Sequence, residues 1–454
     1  MRKKWDEQLI IWHYLHKNRV SKELRGISEI IDAHPEILER IYSDLARNHR
    51  VDTGRDGMTA EQVLRCAVLK QYRSLTYEEL EFHLQDSQSF RAFAKLRTGQ
   101  NPSTSTLQEN IKALSVESWM AVHEATLQQA ESEGWEKGRK ARIDSTAVET
   151  NIHQPTDSTL LQDGIRVITR WLAEGQEFSP RPEYAFADHN RRAKKRGLEI
   201  LNAKKEAVRE KAYRDLLNLA SRVRGYALMA IPVLYDYRHE DPAECLRAQA
   251  LAKKLEEAIG ILTRVIGQTE RRVLQGETVP AGEKVVSFFE SHTDIIVKSR
   301  RETQYGHKVF LTGGATGLIL DCVIERGNPN DTVLFPLLLE RQERLYHRPP
   351  RQVTADGGFA SQENLREAKR RGVKDVAFAK RKGLSVLDMV KSSWVYKQLK
   401  NFRAGIEANI SRLKRSFGLS RCDWTGWLGF KQYVWSALGS YNLLVLARLK
   451  SAIA

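Results

Sequence analysis

One short segment with strand character stands apart from all other such segments in the chain, and this separation constrains the fold more than any other feature. The segment is 140–148, and a long helical region, 159–275, follows it. After Gly282, strand-like segments return, and later they alternate with helical ones. This order predicts an α/β fold: a mixed sheet flanked by helices, with a large helical insertion after the first strand.

The segments after Gly282 have the lengths of single strands and helices. Strands are predicted at 285–289, 307–312, 318–324, 351–356 and 374–379, and helices at 332–346, 361–371 and from about 394. We therefore divide the chain into four parts: an N-terminal helical domain at 1–135, the first part of the sheet domain at 136–158, the helical insertion at 159–280, and the remainder of the sheet domain at 281–454.

The N-terminal domain is predicted to be helical from Gly57 to about Leu114. Thr59 can cap a first helix, and Thr76 begins a second one in a capping-box sequence. Residues 103–106 interrupt the pattern, which resumes at Leu107. Short helices with polar turns suit a helix-turn-helix-like DNA-binding unit, and they suit a plain helical bundle equally well.

The charge of the chain points to a polyanionic partner. Lys and Arg number 73 against 57 Asp and Glu in 454 residues, which gives a formal charge of +16. Double-stranded DNA is the partner we expect; a basic protein without a nucleic-acid partner is the alternative. The four cysteines form no CxxC pair, so neither a zinc site nor a disulfide framework is expected. With no signal region or membrane span in the sequence, we expect a cytoplasmic protein.

Three carboxylates lie where a sheet of this kind would build a site. Asp144 is expected at the end of the first strand, and Asp356 ends another strand just before two glycines. Sites in open α/β sheets gather at the carboxyl ends of strands. Glu407 lies on a predicted helix, where Arg403 and Lys414 return to nearly the same face.

Such a set suits phosphodiester chemistry. Two divalent ions can stabilise both the attacking and the leaving oxygen, and Mg²⁺ prefers hard oxygen ligands from few protein groups. Asp144, Asp356 and Glu407 would hold the metal and be catalytic. Arg403 and Lys414 would face phosphates, Arg403 as a bidentate fork and Lys414 as a point charge.

These residues resemble the DDE transposases of bacterial insertion sequences, most closely their ISNCY-like group. The matching segments are 142–158, 305–309, 356–359 and the spacing Arg403-x3-Glu407-x6-Lys414. There is one departure: members of the family often have Tyr three positions before the arginine, and this chain has Lys400. Asp144 and Asp356 are 356 − 144 = 212 residues apart, and the insertion at 159–275 accounts for that gap.

The resemblance implies a catalytic domain with an RNase H-like fold and two Mg²⁺ or Mn²⁺ ions. It also implies cleavage and strand transfer at the terminal inverted repeats of the element, with the element ends and the target as DNA partners. A homodimer or a larger synaptic assembly, associated with the bacterial nucleoid, follows from the same resemblance.

Further DNA contacts are expected outside the carboxylate set. The candidates are Arg415, the basic run Arg191, Arg192, Lys194 and Lys195, and the aromatic residues Trp424 and Trp427. The basic run has a solvated helix face as its alternative. Trp424 and Trp427 fall in an expected loop, where they could stack on bases, whereas Trp435 at helical spacing is expected to pack in the core.

Some polar residues near the strands are interpreted structurally. Asp321 alternates with apolar neighbours and is expected to face solvent rather than metal. His292 and His307 have no metal-ligand spacing, and His153 is expected to be structural, with orientation of substrate as the alternative.

Two other functions remain open from the residues. One is an RNase H-like nuclease or Holliday-junction resolvase, which would cut structured DNA without joining strands. The other is a non-catalytic DNA-binding protein derived from a transposase.

Overall fold

The segment that stands apart in the sequence is a strand of a mixed sheet. The computed structural model describes residues 3–4, 18–47, 57–299, 302–380 and 382–452. The strands among these residues are β1 (Lys140–Glu149), β2 (Asp294–Ser299), β3 (Glu302–Gly313), β4 (Ile319–Ile324), β5 (Gln352–Ala355) and β6 (Asp375–Phe378). β1 lies between β3 and β5. β5 runs parallel to β1 and to β6, whereas β3 and β4 form an antiparallel pair.

The chain divides into two compact units. Unit 1 contains Met1–Glu149 and His307–Ala454, and unit 2 contains Thr150–Gly306. Unit 1 holds the sheet in the order β4-β3-β1-β5-β6, while β2 pairs with residues 302–306 of β3 in unit 2. The α/β class, the mixed sheet and the helical insertion after the first strand are confirmed, and the sheet agrees with an RNase H-like fold.

The N-terminal helices of unit 1 share one hydrophobic core with its last helix. They are α1 (Arg19–Asp32), α2 (Glu36–Ala46), α3 (Ala60–Arg73), α4 (Tyr77–Asp86), α5 (Gln88–Phe93), α6 (Thr104–Lys112) and α7 (Val116–Ser132). Thr59 and Thr76 cap α3 and α4 with complete capping boxes, as the sequence predicts. α6 begins earlier than expected, because Ser103 caps it and so starts the helix within the polar interruption.

The remaining helices fall into two groups. Unit 2 contains α8 (Asp157–Gly175), α9 (Asn190–Asn202), α10 (Glu206–Tyr235) and α11 (Pro242–Thr269), around a core of their apolar faces. Unit 1 continues with α12 (Asp331–Tyr346), α13 (Gln362–Arg370), α14 (Val386–Met389), α15 (Ser393–Ser416) and α16 (Gly426–Ser451). None of the helices in the described ranges is both long and apolar enough to span a membrane.

The strand predicted at 285–289 does not form. Val285 and Phe288 are buried against the helices of unit 2 instead. The side chain of Gln268 bonds both backbone groups of Val285, accepting from its N–H at 2.8 Å and donating to its carbonyl at 3.1 Å. A side chain thus satisfies backbone groups that a neighbouring strand would otherwise bond, and the strand lies later, at β2.

Two expectations about aspartates in strands are also wrong. β1 continues past Asp144, because its later residues have partners of their own: Glu149 forms a parallel bridge with Arg421. Asp321 on β4 does not face solvent. It is 7% exposed and accepts two hydrogen bonds from Arg341, at 2.5 and 2.7 Å, which neutralise its charge in place of water.

His123 on α7 is fully buried, and its partners accommodate only its neutral form. Its Nε2–H donates to the carbonyl of Leu320, and its Nδ1 accepts from the amide nitrogen of Asn442, both at 3.2 Å. The amide of Asn442 cannot reverse, because it also accepts from the N–H of Ile319 and donates to its carbonyl. Burial lowers the pKa of His123, and a second proton would meet the N–H of Asn442.

We expect His123 to make the chain less stable in mild acid. A histidine whose pKa is lowered by folding contributes stability that is present above about pH 6.5 and lost as the pH falls towards its folded pKa. His123→Gln can keep both hydrogen bonds without titrating, so its free energy of unfolding should depend less on pH below about 6.5. His347→Asn, at an exposed histidine, is the control. Equal pH dependence in wild type and His123→Gln would contradict the assignment.

Candidate active site

Asp144 and Asp356 lie side by side because of the register between two parallel strands. The last paired residues of β1 and β5 are Ile143 and Ala355, and each aspartate is the next residue of its strand. The N–H of Asp356 donates to the carbonyl of Ile143 at 3.3 Å. The Asp356 carboxylate accepts from the N–H of Gly358 at 3.4 Å and caps a short 3-10 turn. The two carboxylates therefore meet at the carboxyl end of β5.

Arg142 holds α15 against the face of β1 that carries Asp144. Arg142 and Asp144 are two residues apart in the strand and so point to one face. The guanidinium of Arg142 donates to the carbonyl of Phe402 at 3.3 Å and lies 4.9 Å from the centre of its ring. Gly405 permits this approach, since a Cβ there would lie 1.6 Å from Nη1 of Arg142. Burial lowers the pKa of Arg142.

The guanidinium of Arg403, on α15, lies among the three carboxylates. Its nitrogens are 3.2 Å from Oδ2 of Asp144, 3.6 Å from Oδ1 of Asp356 and 2.5 Å from Oε1 of Glu407. The side chains of Arg403 and Asp144 are 17% and 16% exposed, whereas that of Glu407 is 57% exposed. Residues from three distant segments are thus gathered around one positive charge.

The carboxyl group of Asp144 is the one most affected by this environment. Its pKa is raised to about 6, chiefly by burial and further by the charges of Asp356 and Glu407. The N–H of Ser145 and the charge of Arg403 act in the opposite direction. Burial and carboxylate repulsion therefore outweigh the single guanidinium, and the site favours additional positive charge.

The two basic residues at the end of α15 bond to the protein backbone. Lys414 donates to the carbonyl of Ala147 at 2.8 Å, which ties the helix to β1. The Nε–H of Arg415, an exposed residue, donates to the carbonyl of Ser411 on its own helix.

Two charged residues beside the aspartates had no expected role in the site. The ammonium of Lys308 on β3 donates to Asp331 at 3.1 Å and to the carbonyl of Pro329 at 3.0 Å. Asp331 also lies 3.5 Å from the hydroxyl of Ser145. A Cβ at Gly358 would lie 2.3 Å from Oδ2 of Asp331, so the turn after Asp356 packs on this pair. Lys308 lies within 305–309, one of the segments that resemble the transposases, and Asp331 directly precedes the helix predicted at 332–346.

The basic run of the insertion lies on α9 in unit 2. Arg191, Lys194 and Lys195 are exposed. Arg192 is also exposed, but both its Nε and its Nη2 donate to Asp215 on α10. Three of the four cations are therefore displayed to solvent, and the run 191–196 itself contains no acidic residue.

The two tryptophans expected in a loop are largely packed. Trp424 is 3% exposed and forms an edge contact with Tyr433, so its indole is not available to stack on a base. Trp427 lies in α16 rather than a loop and is partly buried, stacked on Phe430 and in edge contact with the buried His307. The apolar environment of α16 accounts for both corrections, because each ring fills space beside this helix.

The donor set fits a divalent cation. Asp144, Asp356 and Glu407 offer carboxylate oxygens, the hard ligands that Mg²⁺ prefers, and Mg²⁺ needs few of them. Across the described residues, no three His, Cys, Asp or Glu side chains form a group that could hold an ion as they stand. Here the carboxylates surround the guanidinium of Arg403, which already satisfies part of their demand for positive charge.

Gly405→Ala should lower the melting temperature. The new Cβ would collide with Arg142, which is buried and cannot yield without moving α15, so we expect a loss on the order of 2 kcal/mol in the free energy of unfolding. Gly260→Ala on α11 is the matched control, because open space surrounds that position. It should be neutral or stabilising by about 0.5–1 kcal/mol. Thermal unfolding of both variants tests this, and an equal response would contradict the contact.

Asp144→Asn should stabilise the metal-free chain at neutral pH. An acid whose pKa is raised by folding contributes stability below its unfolded pKa of about 4 and loses it as the pH rises through its folded value. With a folded pKa of about 6, the advantage of Asp144→Asn should grow between pH ~4 and ~7 to on the order of 2 kcal/mol. Chemical unfolding at both pH values measures it. A difference that does not change with pH would refute the raised pKa.

Two models of known protein families match parts of the chain. A family model described as "Transposase DDE domain" matches residues 293–443, which include Asp356 and Glu407. A second, described as "Transposase domain (DUF772)", matches residues 14–113 in the N-terminal helices. No curated protein and no solved structure matches the chain. Members of the DDE family generally use divalent metal ions. The two matches together identify the chain as a DDE transposase of the insertion-sequence type.

Proposed function

We propose that this transposase binds the terminal inverted repeats of an insertion sequence and catalyses metal-dependent DNA cleavage and strand transfer there. The observation that carries the proposal is the convergence of Asp144, Asp356 and Glu407 on one guanidinium. Carboxylates so close together require cations, and the Arg403 charge offsets only one of three formal negative charges.

The three carboxylates are the proposed ligands of two Mg²⁺ or Mn²⁺ ions. When bound, the ions would activate a water or a 3′-hydroxyl for attack and stabilise the leaving oxygen. Asp144 and Asp356 are held by the strand register and Glu407 by its helix, so the oxygens are oriented before substrate arrives. The residues that bury Asp144 also keep bulk water away from its side of the site.

Arg403 is the proposed contact to the scissile or a neighbouring phosphate. Its planar guanidinium can bind a phosphate in a bidentate manner, and it already lies beside the carboxylates. Lys414 supports the site in a second way, because its bond to the carbonyl of Ala147 fixes the helix that carries Arg403 and Glu407.

DNA binding is proposed for the N-terminal helices, for the basic residues of α9 and for Arg415. The N-terminal helices, matched by their own transposase model, are the proposed reader of the element ends. The exposed cations Arg191, Lys194 and Lys195 on α9 are proposed to contact phosphates, as is Arg415. A homodimer or larger synaptic complex on nucleoid DNA would bring two ends together.

Removing single carboxylates should abolish cleavage without abolishing end binding. Asp144→Asn, Asp356→Asn and Glu407→Gln each remove one negative charge from the proposed ligands. We expect each cleavage rate to fall by at least about a hundredfold, as when one strong transition-state contact is lost. Glu363→Gln, at an exposed residue of α13, is the charge-matched control and should cleave like wild type.

The assay uses DNA from the ends of the element, with Mg²⁺ or Mn²⁺, and follows both cleavage and joining to a target duplex. Wild-type cleavage without joining would favour a nuclease or resolvase. No metal-dependent cleavage by the wild type would favour a non-catalytic DNA-binding protein. Cleavage by Asp144→Asn at the wild-type rate would remove the assignment of that residue.

A further inference from the structure

Lys380 lies at the same edge of the sheet as the two aspartates. β5 and β6 pair in parallel up to Ala355 and Phe378, and Asp356 directly follows β5. Beyond β6, the N–H of Ala379 still donates to the carbonyl of Ala355 at 3.0 Å. Lys380 is the next residue, so it leaves the sheet one strand away from Asp356.

The aliphatic part of Lys380 lies across the residue after Asp356. A Cβ at Gly357 would lie 2.7 Å from Cβ of Lys380, 3.0 Å from its Cγ and 3.3 Å from its Cδ. These are the atoms nearest the backbone, which cannot swing away as the end of a lysine can. Gly357 therefore provides the space in which the Lys380 side chain runs beside the catalytic turn.

The ammonium of Lys380 has different surroundings from the charged groups of Arg403 and Lys414. Arg403 is surrounded by carboxylates, and Lys414 donates to a backbone carbonyl. Lys380 is exposed and makes no hydrogen bond or ion pair with any residue that the structure describes. It thus presents an ammonium that no residue in the described part of the chain already pairs.

We propose that Lys380 contacts a backbone phosphate of the DNA strand held at Asp144 and Asp356, and so positions that strand. The inference rests on the proposed function, since it requires DNA at the carboxylates. Lysine binds phosphate as a compact point charge on a flexible stem. With part of that stem packed on Gly357, the ammonium is confined to the neighbourhood of Asp356 and costs less side-chain entropy on binding.

Lys380→Met tests the charge alone, because methionine keeps an unbranched apolar stem. Lys374→Met is the matched control: Lys374 is exposed and immediately precedes β6, at the opposite end of the same strand. Both are made in the full chain carrying Asp144→Asn, so that binding is measured without cleavage. The probe is a short duplex from the end of the element, titrated over a range of salt concentrations.

We expect Lys380→Met to weaken binding about tenfold, the size of one charged hydrogen bond. The log-log dependence of affinity on salt should become shallower by about 0.9, the value for one phosphate. Lys380→Arg should retain both the affinity and its salt dependence. Lys374→Met should bind with the affinity and the salt dependence of its parent. The position is located by duplexes with one neutral methylphosphonate next to the cleavage point. When the methylphosphonate replaces the phosphate that Lys380 contacts, the parent and Lys380→Met should bind that duplex with equal affinity.

Indistinguishable binding by Lys380→Met and Lys374→Met would overturn the proposal. A penalty that persists with every methylphosphonate near the cleavage point would also overturn it, because the contact would then lie elsewhere. Failure of the wild type to cleave the same duplex with Mg²⁺ is a separate result. It would count against the proposed function, while the binding comparison would still decide whether Lys380 contacts phosphate.

Discussion

The proposed active site of this protein depends on one charge interaction, the guanidinium of Arg403 among three carboxylates. Asp144 is largely buried, and Asp356 and Glu407 are held close to the same guanidinium, so the negative charges repel and Asp144 also loses hydration. One guanidinium offsets this only in part, which is why the pKa of Asp144 stays raised at about 6. A site with more negative than positive charge lowers the stability of the folded chain, and the same excess of negative charge favours the binding of cations.

That interaction requires a helix fixed accurately against a strand. α15 carries Arg403 and Glu407, and β1 carries Asp144. Two further basic side chains hold them together: Arg142, which contacts Phe402 and fits against Gly405, and Lys414, which donates to the carbonyl of Ala147. In both cases a basic side chain from a segment of the proposed site acts as a structural tie. Gly405, between Arg403 and Glu407 in the helix, has its purpose in this close approach, because any larger residue would push the carboxylate set apart.

The sequence predicts features that depend on local order and fails where tertiary contacts decide. Helical periodicity places Arg403 and Glu407 on one face, and capping chemistry identifies Thr59 and Thr76. Periodicity cannot reveal that Lys414 turns to a backbone carbonyl or that Trp424 is covered. The apolar run 285–289 fits a strand and a buried irregular segment equally well. The alternation of polar and apolar residues shows which face of β4 carries Asp321. It does not show whether that face is exposed, because helices can cover both faces of a sheet. In this protein the face is covered, and Arg341 is the partner of Asp321.

The long gap between Asp144 and Asp356 does not keep the two residues apart, because unit 2, which fills most of that gap, begins and ends in one place. Thr150, the first residue of unit 2, donates its N–H to the carbonyl of Tyr305 at 3.0 Å, and its hydroxyl is 2.8 Å from that of Thr293. The two ends of unit 2 therefore lie next to each other. Closing a long segment costs only slightly more entropy than closing a short one, and inserted units with adjacent ends are tolerated. The distance between the two aspartates is set by the register of β1 and β5, which is independent of how much chain lies between them.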